Sequence, residues 1–287
     1  MMRASRSRTR ERTNLLTSTP DEAALAIACF LTTARDLLCL RLTCRRFDIK
    51  CISSGEGGPA PEMLLCLAEE AGRRWVAGCS EQERRWVPRR GLESWLGLMH
   101  EVGVLRLPLA FGRAHVTSIT LSENGAVATK GVGDYNYRTA ASTVVMQSGR
   151  HFAQFTVVRG IVMFFGVIRP GWDVENGVGA SNADGHCFYA TGNGRRFPGY
   201  NDWEGMQAAR QGDRIGMLLD LDQGSMTVWK NDVQLGVMQA EGLSGPLCWA
   251  VSMRFEGRSA RIESAPAPAS PTEGELVSAK AWQEAHP

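Results

Sequence analysis

The sequence predicts an α+β chain of more than one domain, helical in its N-terminal part and an antiparallel β-sandwich after it. Three observations carry this. Apolar side chains in residues 20–103 recur every three or four positions. In residues 115–264 they alternate instead, between turns rich in Gly, Asn and Asp. No helical period returns between the predicted strands, which argues for an antiparallel sandwich rather than a parallel sheet. The chain has 287 residues, 44% of them hydrophobic, so a substantial core and about two domains are expected.

The helices follow in order. In "TPDEAALAIACFL", Thr19 and Pro20 precede two acids, the start signals of a helix. Ala24, Ile27, Ala28 and Leu31 then keep helical spacing. In "ARDLLCLRLTCRRF", Leu37, Leu40, Cys44 and Phe47 form one stripe, widened by Leu38 and Leu42. "PEMLLCLAEEAGRRW" aligns Leu64, Leu67, Ala68, Ala71 and Trp75, and "SWLGLMHEV" aligns Trp95, Leu98, Met99 and Val102. On spacing alone each stripe reads as core. The implied organisation is a basic tail over 1–18, a helical domain over 19–55, a helical linker over 56–112, a sandwich over 113–264 and a Pro/Ala-rich tail over 265–287, read as mobile with a short terminal helix as the alternative.

The strands are clearest in "GDRIGMLLDLDQGSMTVWKNDVQLG". Ile215, Met217, Leu219 and Leu221 alternate with Gly216, Leu218 and Asp220, so one face is apolar. "DQGS" at 222–225 reverses the chain. Met226 and Val228 face one way and Trp229 the other, toward the outer sheet surface or the helical segment. Asn231 and Asp232 read as a two-residue hairpin turn. "IVMFFGVI" at 161–168 is apolar at both parities and predicts a central strand covered on both sides. Further strands are expected at 117–121, 126–129, 144–146, 151–158, 187–191, 247–253 and 259–263.

Reactive groups at fixed spacing are lacking. The histidines, at 100, 115, 151, 186 and 286, share no metal-ligand spacing with each other or with a cysteine. His186 and Cys187 are adjacent and point to opposite faces of a strand. No nucleophile elbow or phosphate loop is found. No catalytic residue, metal or cofactor is expected, so the chain reads as a non-enzyme. Its eight cysteines include no C-x2-C pair and no secretory leader precedes them, which predicts reduced thiols in the cytoplasm or nucleus. No apolar run reaches 18 residues, so no membrane span is expected. The net charge of +2 argues against nucleic acid as a partner. Arg3, Arg6, Arg8, Arg10 and Arg12 read as a solvated tail, with nucleic-acid contact as the rival reading.

Residues 19–51 resemble an F-box, on Pro20 and Glu22, the apolar Ile27 and Leu31, and the run "RDLLCLRLTCRRF" ending at Phe47. Thr19 stands where that family usually has Leu, and Ala23 and Ala24 replace larger residues. One missing Leu removes roughly 1–3 kcal/mol of docking energy. Residues 115–264 resemble a SPRY domain, on "GDRIGMLLDLDQGSMTVWKNDVQLGV", "LSGPLCWAVSM", "ARIE" and the earlier "GIVMFFGVIRP".

The two resemblances imply a substrate receptor of a cullin–RING ubiquitin ligase. The F-box would dock the adaptor subunit through Pro20, Ile27, Leu31, Leu37, Leu40, Cys44 and Phe47. The SPRY loops would hold a protein target, and ubiquitin transfer would belong to other subunits. Three loops are candidates for the target: "RPGWDVENG" with Trp172, "FPGYNDWEG" with Phe197, Tyr200 and Trp203, and "RFEG" with Arg254, Phe255 and Glu256. In the SPRY family this last position contributes to the peptide-binding face. Aromatic and Arg anchors are what binding hot spots favour. A plain interaction adaptor carrying a SPRY module is the alternative.

Overall fold

The structure, a computed structural model, describes residues 21–43, 47, 50–53, 64–87, 94–265 and 268–286. The chain divides into two compact units, Met1–Arg84 with Arg89–Gly103, and Arg85–Pro88 with Val104–Pro287. The second unit therefore begins before the boundary expected at 113.

In the first unit, α1 (Asp21–Cys29) and α2 (Ala34–Thr43) pack on α3 (Leu67–Ala77). The buried side chains are Ala24, Leu25, Ala28 and Leu37 from the first pair, and Leu67, Ala68, Ala71 and Val76 from α3. Thr33 starts α2: its Oγ1 accepts the Asp36 N–H at 3.1 Å, which satisfies one orphan donor of the first turn. The helix expected from Pro61 begins only at Leu67. Residues Leu64–Cys66 form instead β2, antiparallel to β1 (Lys50–Ser53). A partner strand there outweighs the weak local preference for helix. α4 (Glu81–Trp86) and α5 (Trp95–Arg106) follow. Glu69 Oε2 accepts the N–H groups of Trp95 at 2.7 Å and Leu96 at 3.3 Å, capping α5. Gly72 permits this approach, since a Cβ there would lie 3.2 Å from the Trp95 carbonyl carbon.

The second unit holds two antiparallel sheets. In the six-stranded one, β10 (Arg196–Phe197), β9 (Cys187–Ala190), β8 (Met163–Ile168), β14 (Cys248–Met253), β6 (Arg138–Ser142) and β3 (Phe111–Ala114) lie side by side. The seven-stranded one runs β13 (Val233–Gln239), β12 (Ser225–Lys230), β11 (Arg214–Asp220), β7 (Arg150–Arg159), β15 (Ser259–Glu263), β5 (Val127–Lys130) and β4 (Ile119–Ser122). The alternation read from the sequence sets the core. Ile215, Met217 and Leu219 of β11, Met226 and Val228 of β12, and Ala153, Phe155 and Val157 of β7 all point inward. Phe165 and Trp249 meet Phe155 there, at ring distances of 4.9 and 6.0 Å.

β8 is buried at every position. Met163, Phe165 and Val167 join the main core, while Phe164 and Ile168 join a second apolar cluster on the outer face. The central, doubly covered strand expected at 161–168 is therefore present. Asn231 and Asp232 both take positive φ, 50° and 68°, as a two-residue turn of this hairpin type requires. Trp229 faces outward, edge-on to Phe152 at 5.9 Å.

Two expectations change. The strand expected at 144–146 reduces to a single bridge from Met146 to Leu247, and the strand lies at 138–142. Beyond 264 the short terminal helix, the alternative to a mobile tail, is the one present. α6 (Glu273–Ala285) opens with a capping box, Thr272 with Glu275, and lays Leu276 and Ala279 against Val237 and Ala240. Gln283 Nε2 donates to the Met238 carbonyl at 3.1 Å, and its Oε1 accepts the Ala240 N–H at 3.4 Å. This covers β13, an edge strand that would otherwise present free backbone groups. Among the described residues no helix is long and apolar enough to cross a membrane.

Leu219→Ala is expected to destabilise the sandwich by roughly 2–5 kcal/mol through lost contacts and a cavity. Gly166→Ala is expected to cost about 1–3 kcal/mol or more, because its Cβ would fall 1.9 Å from the Cys187 carbonyl oxygen and force β8 and β9 apart. Denaturant melts followed by tryptophan fluorescence check both.

Candidate functional site

The site is built on the outer face of the six-stranded sheet. Phe164 projects outward from β8. Its ring stacks on Tyr137 at 4.8 Å and tilts against Phe197 of β10 at 4.6 Å. Phe197 meets Tyr200 edge-on at 5.2 Å, and the Arg195 guanidinium lies 4.2 Å over the Tyr200 ring. On the other side, Arg254 lies 5.7 Å from the Tyr137 ring and 5.3 Å from the Phe255 ring, and Arg258 lies 5.8 Å from Phe255. Rings and guanidinium groups thus form one continuous ribbon. Each ring pair contributes about 0.5–1.5 kcal/mol beyond its buried area, and each exposed cation–ring contact about 0.5–1 kcal/mol.

The sheet ends explain why these side chains meet. β14 ends beside the starts of β8 and β6, with Met253 opposite both Met163 and Arg138. The loops 131–137, 160–162 and 254–258 therefore converge. Asp134 fastens the first of them. Its carboxylate accepts from Ser118 Oγ at 2.9 Å, from the Asn136 N–H at 2.9 Å and from Arg138 Nε, with the fully buried Lys130 ammonium 3.5 Å away. Burial alone would raise the Asp134 carboxyl. The donors and the Lys130 charge reverse that and hold it far below the usual carboxylate range. Tyr200 has φ 59°, rare for an aromatic residue, and its ring is held exposed by Phe197, Arg195 and a 2.7 Å hydrogen bond from Asn193 Nδ2 to its hydroxyl.

The expected target-binding residues divide accordingly. Tyr200, Arg254 and Phe255 belong to the ribbon, and Glu256 is exposed on the same turn as Phe255. Trp172 is half-buried against the outer cluster, edge-on to His186 at 5.3 Å, and its Nε1 is buried without a hydrogen-bond partner. Trp203 is a correction: it is 2% exposed, sits in the main core and donates Nε1–H to the Gly194 carbonyl at 2.6 Å. A partner cannot reach it. Phe197, expected on the same loop as Tyr200, belongs to the ribbon too, whereas Tyr137, Phe164, Arg195 and Arg258 were not expected from the sequence. An aromatic at the outward parity of a fully apolar strand, Phe164, was the available signal.

The adaptor-docking residues divide as well. Pro20 and Cys44 lie outside the described residues. Leu37 and Phe47 are fully buried, which corrects their assignment to a docking surface. Leu31 and Leu40 are half-buried, and Ile27 is 47% exposed. Phe30 at 84%, Leu42 at 76% and Leu38 at 44% stand exposed beside it in sequence and were not singled out for docking.

The histidines fasten loops. His186 Nδ1 lies 2.7 Å from the Ala180 carbonyl and His151 Nε2 2.7 Å from the Ser148 carbonyl. Cys187 points into the main core, away from His186, and burial pushes its thiol up to about 12, where little thiolate exists at neutral pH.

Asp134→Asn leaves the buried Lys130 and Arg138 without their countercharge and is expected to cost about 3–5 kcal/mol. The folded pKa of Asp134 is depressed, so its contribution is complete above about pH 4 and is lost as pH falls toward the folded value. The stability gap between wild type and Asp134→Asn should hold from pH 8 to about pH 5 and narrow below about pH 4, read by urea titrations across that range. Phe255→Ala is expected to change stability by about 1 kcal/mol or less, and Trp203→Ala by roughly 3–5 kcal/mol; paired thermal melts separate the surface ring from the core ring.

No family model and no curated protein matches the chain. Among solved structures, the SPRY domain of human HERC1 is similar at 19% identity and a TM-score of 0.45, over 52% of this chain and 94% of that one. A human SPRY domain gives 15% and 0.43, over 53% and 98%, and the TRIM65 PSpry domain 17% and 0.38, over 54% and 89%.

Proposed function

We propose that the chain is a substrate-recognition subunit of a cullin–RING ubiquitin ligase, without chemistry of its own. Its helical unit would dock the adaptor and its sandwich would hold a target protein on the ring-and-guanidinium ribbon. The observation that carries this is the set of large apolar side chains left exposed on the first unit. Ala24, Leu25, Ala28 and Leu37 already supply the buried side of α1 and α2, yet Ile27, Phe30, Leu38 and Leu42 remain exposed. A helix pair that exposes four large apolar side chains is suited to a protein partner. The motif "RDLLCLRLTCRRF", which resembles an F-box, supplies Leu38 and Leu42 and so points to the adaptor as that partner.

The ribbon supports the target half. Its rings rest on a sheet buried on both faces, so the anchors are pre-positioned and little ordering is needed on binding. Their types, Tyr, Phe and Arg, match those that dominate protein interfaces, where Tyr and Arg are especially frequent hot spots.

The purified chain is expected to bind a cullin–RING adaptor subunit at micromolar concentration. Phe30→Asp with Leu42→Asp should abolish binding while the sandwich melts as in wild type. Leu37→Asp is the wrong probe, because a charge at that buried position would unfold the helices. Wild-type protein that ignores the adaptor in calorimetry at micromolar concentration would remove the ligase reading and leave a recognition module. For a target recovered on the ribbon, Tyr200→Ala or Phe255→Ala should weaken capture about thirtyfold, which corresponds to about 2 kcal/mol.

A further inference from the structure

We infer that the end of the sandwich formed by loops 131–137, 160–162 and 254–258 recognises an acidic segment of a protein partner, with an apolar or aromatic residue next to its carboxylates. This rests on the reading of the ribbon as the target-binding face and specifies the chemistry of the target.

Three guanidinium groups gather on the 254–258 turn. Arg254 and Arg258 each lie within 6 Å of the Phe255 ring. The Arg159 guanidinium lies 3.8 Å from where a side chain on Gly257 would begin. None of the three forms an ion pair with a carboxylate among the described residues. Arg254 donates Nε–H to the Tyr135 carbonyl at 3.2 Å, and Arg258 Nε is buried with no hydrogen-bond partner. The Arg258 stem lies over Gly160, where a Cβ would come within 2.4 Å of its Cδ, so glycine at 160 is what seats this arginine.

The nearby acid cannot serve them. Asp134 is committed to Arg138, Ser118, Asn136 N–H and Lys130. Glu256 is the one carboxylate on the turn itself, against two arginines there and Arg159 beside it. The end of the sandwich thus carries net positive charge on planar donors, one of them seated over Gly160, the geometry that suits carboxylates.

The apolar part of the inference comes from the same loops. Tyr135 is 76% exposed, Val132 72% and Ile161 45%. They give an adjacent apolar shelf that guanidinium groups alone would not need. A nucleic acid is the competing polyanion. It calls for a broad basic surface that tracks phosphates, whereas here the charge is confined to one turn and bordered by aliphatic side chains.

The test uses the full chain and a fluorescein-labelled random copolymer of glutamate and tyrosine, read by anisotropy. A lysine–tyrosine copolymer and labelled oligo(dT) serve as controls. The glutamate–tyrosine polymer should bind, weaken as salt rises, and lose at least tenfold in affinity with Arg254→Glu plus Arg258→Glu; the lysine polymer should not bind. Because Arg258 is partly buried, Tyr135→Ser and Arg254→Ala are measured alongside, and each should weaken binding with an unchanged melt. No binding of the acidic polymer, equal binding by all variants, or tighter binding of oligo(dT) would each overturn the inference. If Phe255→Ala loses a captured target while the acidic polymer is ignored, the face stands and only its acidic preference fails. If neither responds, the ribbon reading fails with it.

Discussion

Phe164 stacks between Tyr137 and Phe197 on a strand whose other face, Phe165 and its neighbours, fills the main core. The ring-and-guanidinium ribbon depends on this double burial. A sheet open to water on its outer face would leave Phe164 and Phe197 free to change rotamer. Here the outer cluster of Ile168, Phe188, Cys248 and Ala250 packs beneath them, and close packing fixes side chains in few orientations. Tyr200 and Arg254 then rest on rings that are themselves fixed. The same sheet therefore serves as core wall and as platform, and a change such as one at Gly166 propagates to both.

The loops at the end of the sandwich add an electrostatic constraint. Lys130 is fully buried, a position an ammonium tolerates only with partners. It donates to the Asp134 carbonyl oxygen at 2.8 Å and faces the Asp134 carboxylate, and burial lowers its pKa against the pull of that charge. Asp134 in turn holds Arg138 at the base of β6. With these three charges engaged with one another, Arg254 and Arg258 on the 254–258 turn are left without a carboxylate partner among the described residues. The division between structural and available charge comes from which carboxylates the fold has already used.

How much of this was legible in the sequence follows from side-chain size and distance along the chain. β7, β8, β11, β12 and β14 announce themselves because large apolar residues alternate or run continuously. β6 does not: its buried positions are Thr139, Ala140, Ala141 and Ser142, small side chains demanded by the crowded middle of the sandwich and nearly silent in a hydrophobicity pattern. The ribbon was half legible. Phe197, Tyr200, Arg254 and Phe255 stood out as aromatic or basic types in loops, but Tyr137 and Phe164 join them only through the strand order β10-β9-β8-β14-β6. Trp203 misled because a loop tryptophan reads the same whether it plugs the core or waits for a partner. The helix after the Pro/Ala run was readable from Thr272 and Glu275, a capping-box pair obscured by the composition preceding it.

The helical unit shows the same limit from the other direction. Periodicity identifies that a helix has an apolar stripe, and α2 has two, one through Leu37 and one through Leu38 and Leu42. Nothing local ranks them. The ranking comes from α3, whose small Ala68, Ala71 and Gly72 let neighbouring helices approach closely, and Leu37 is the side chain that ends up buried. Each large side chain left outside forgoes about 1.5–3 kcal/mol of burial. Ile27, Phe30, Leu38 and Leu42 on this short helix pair forgo some or all of that gain.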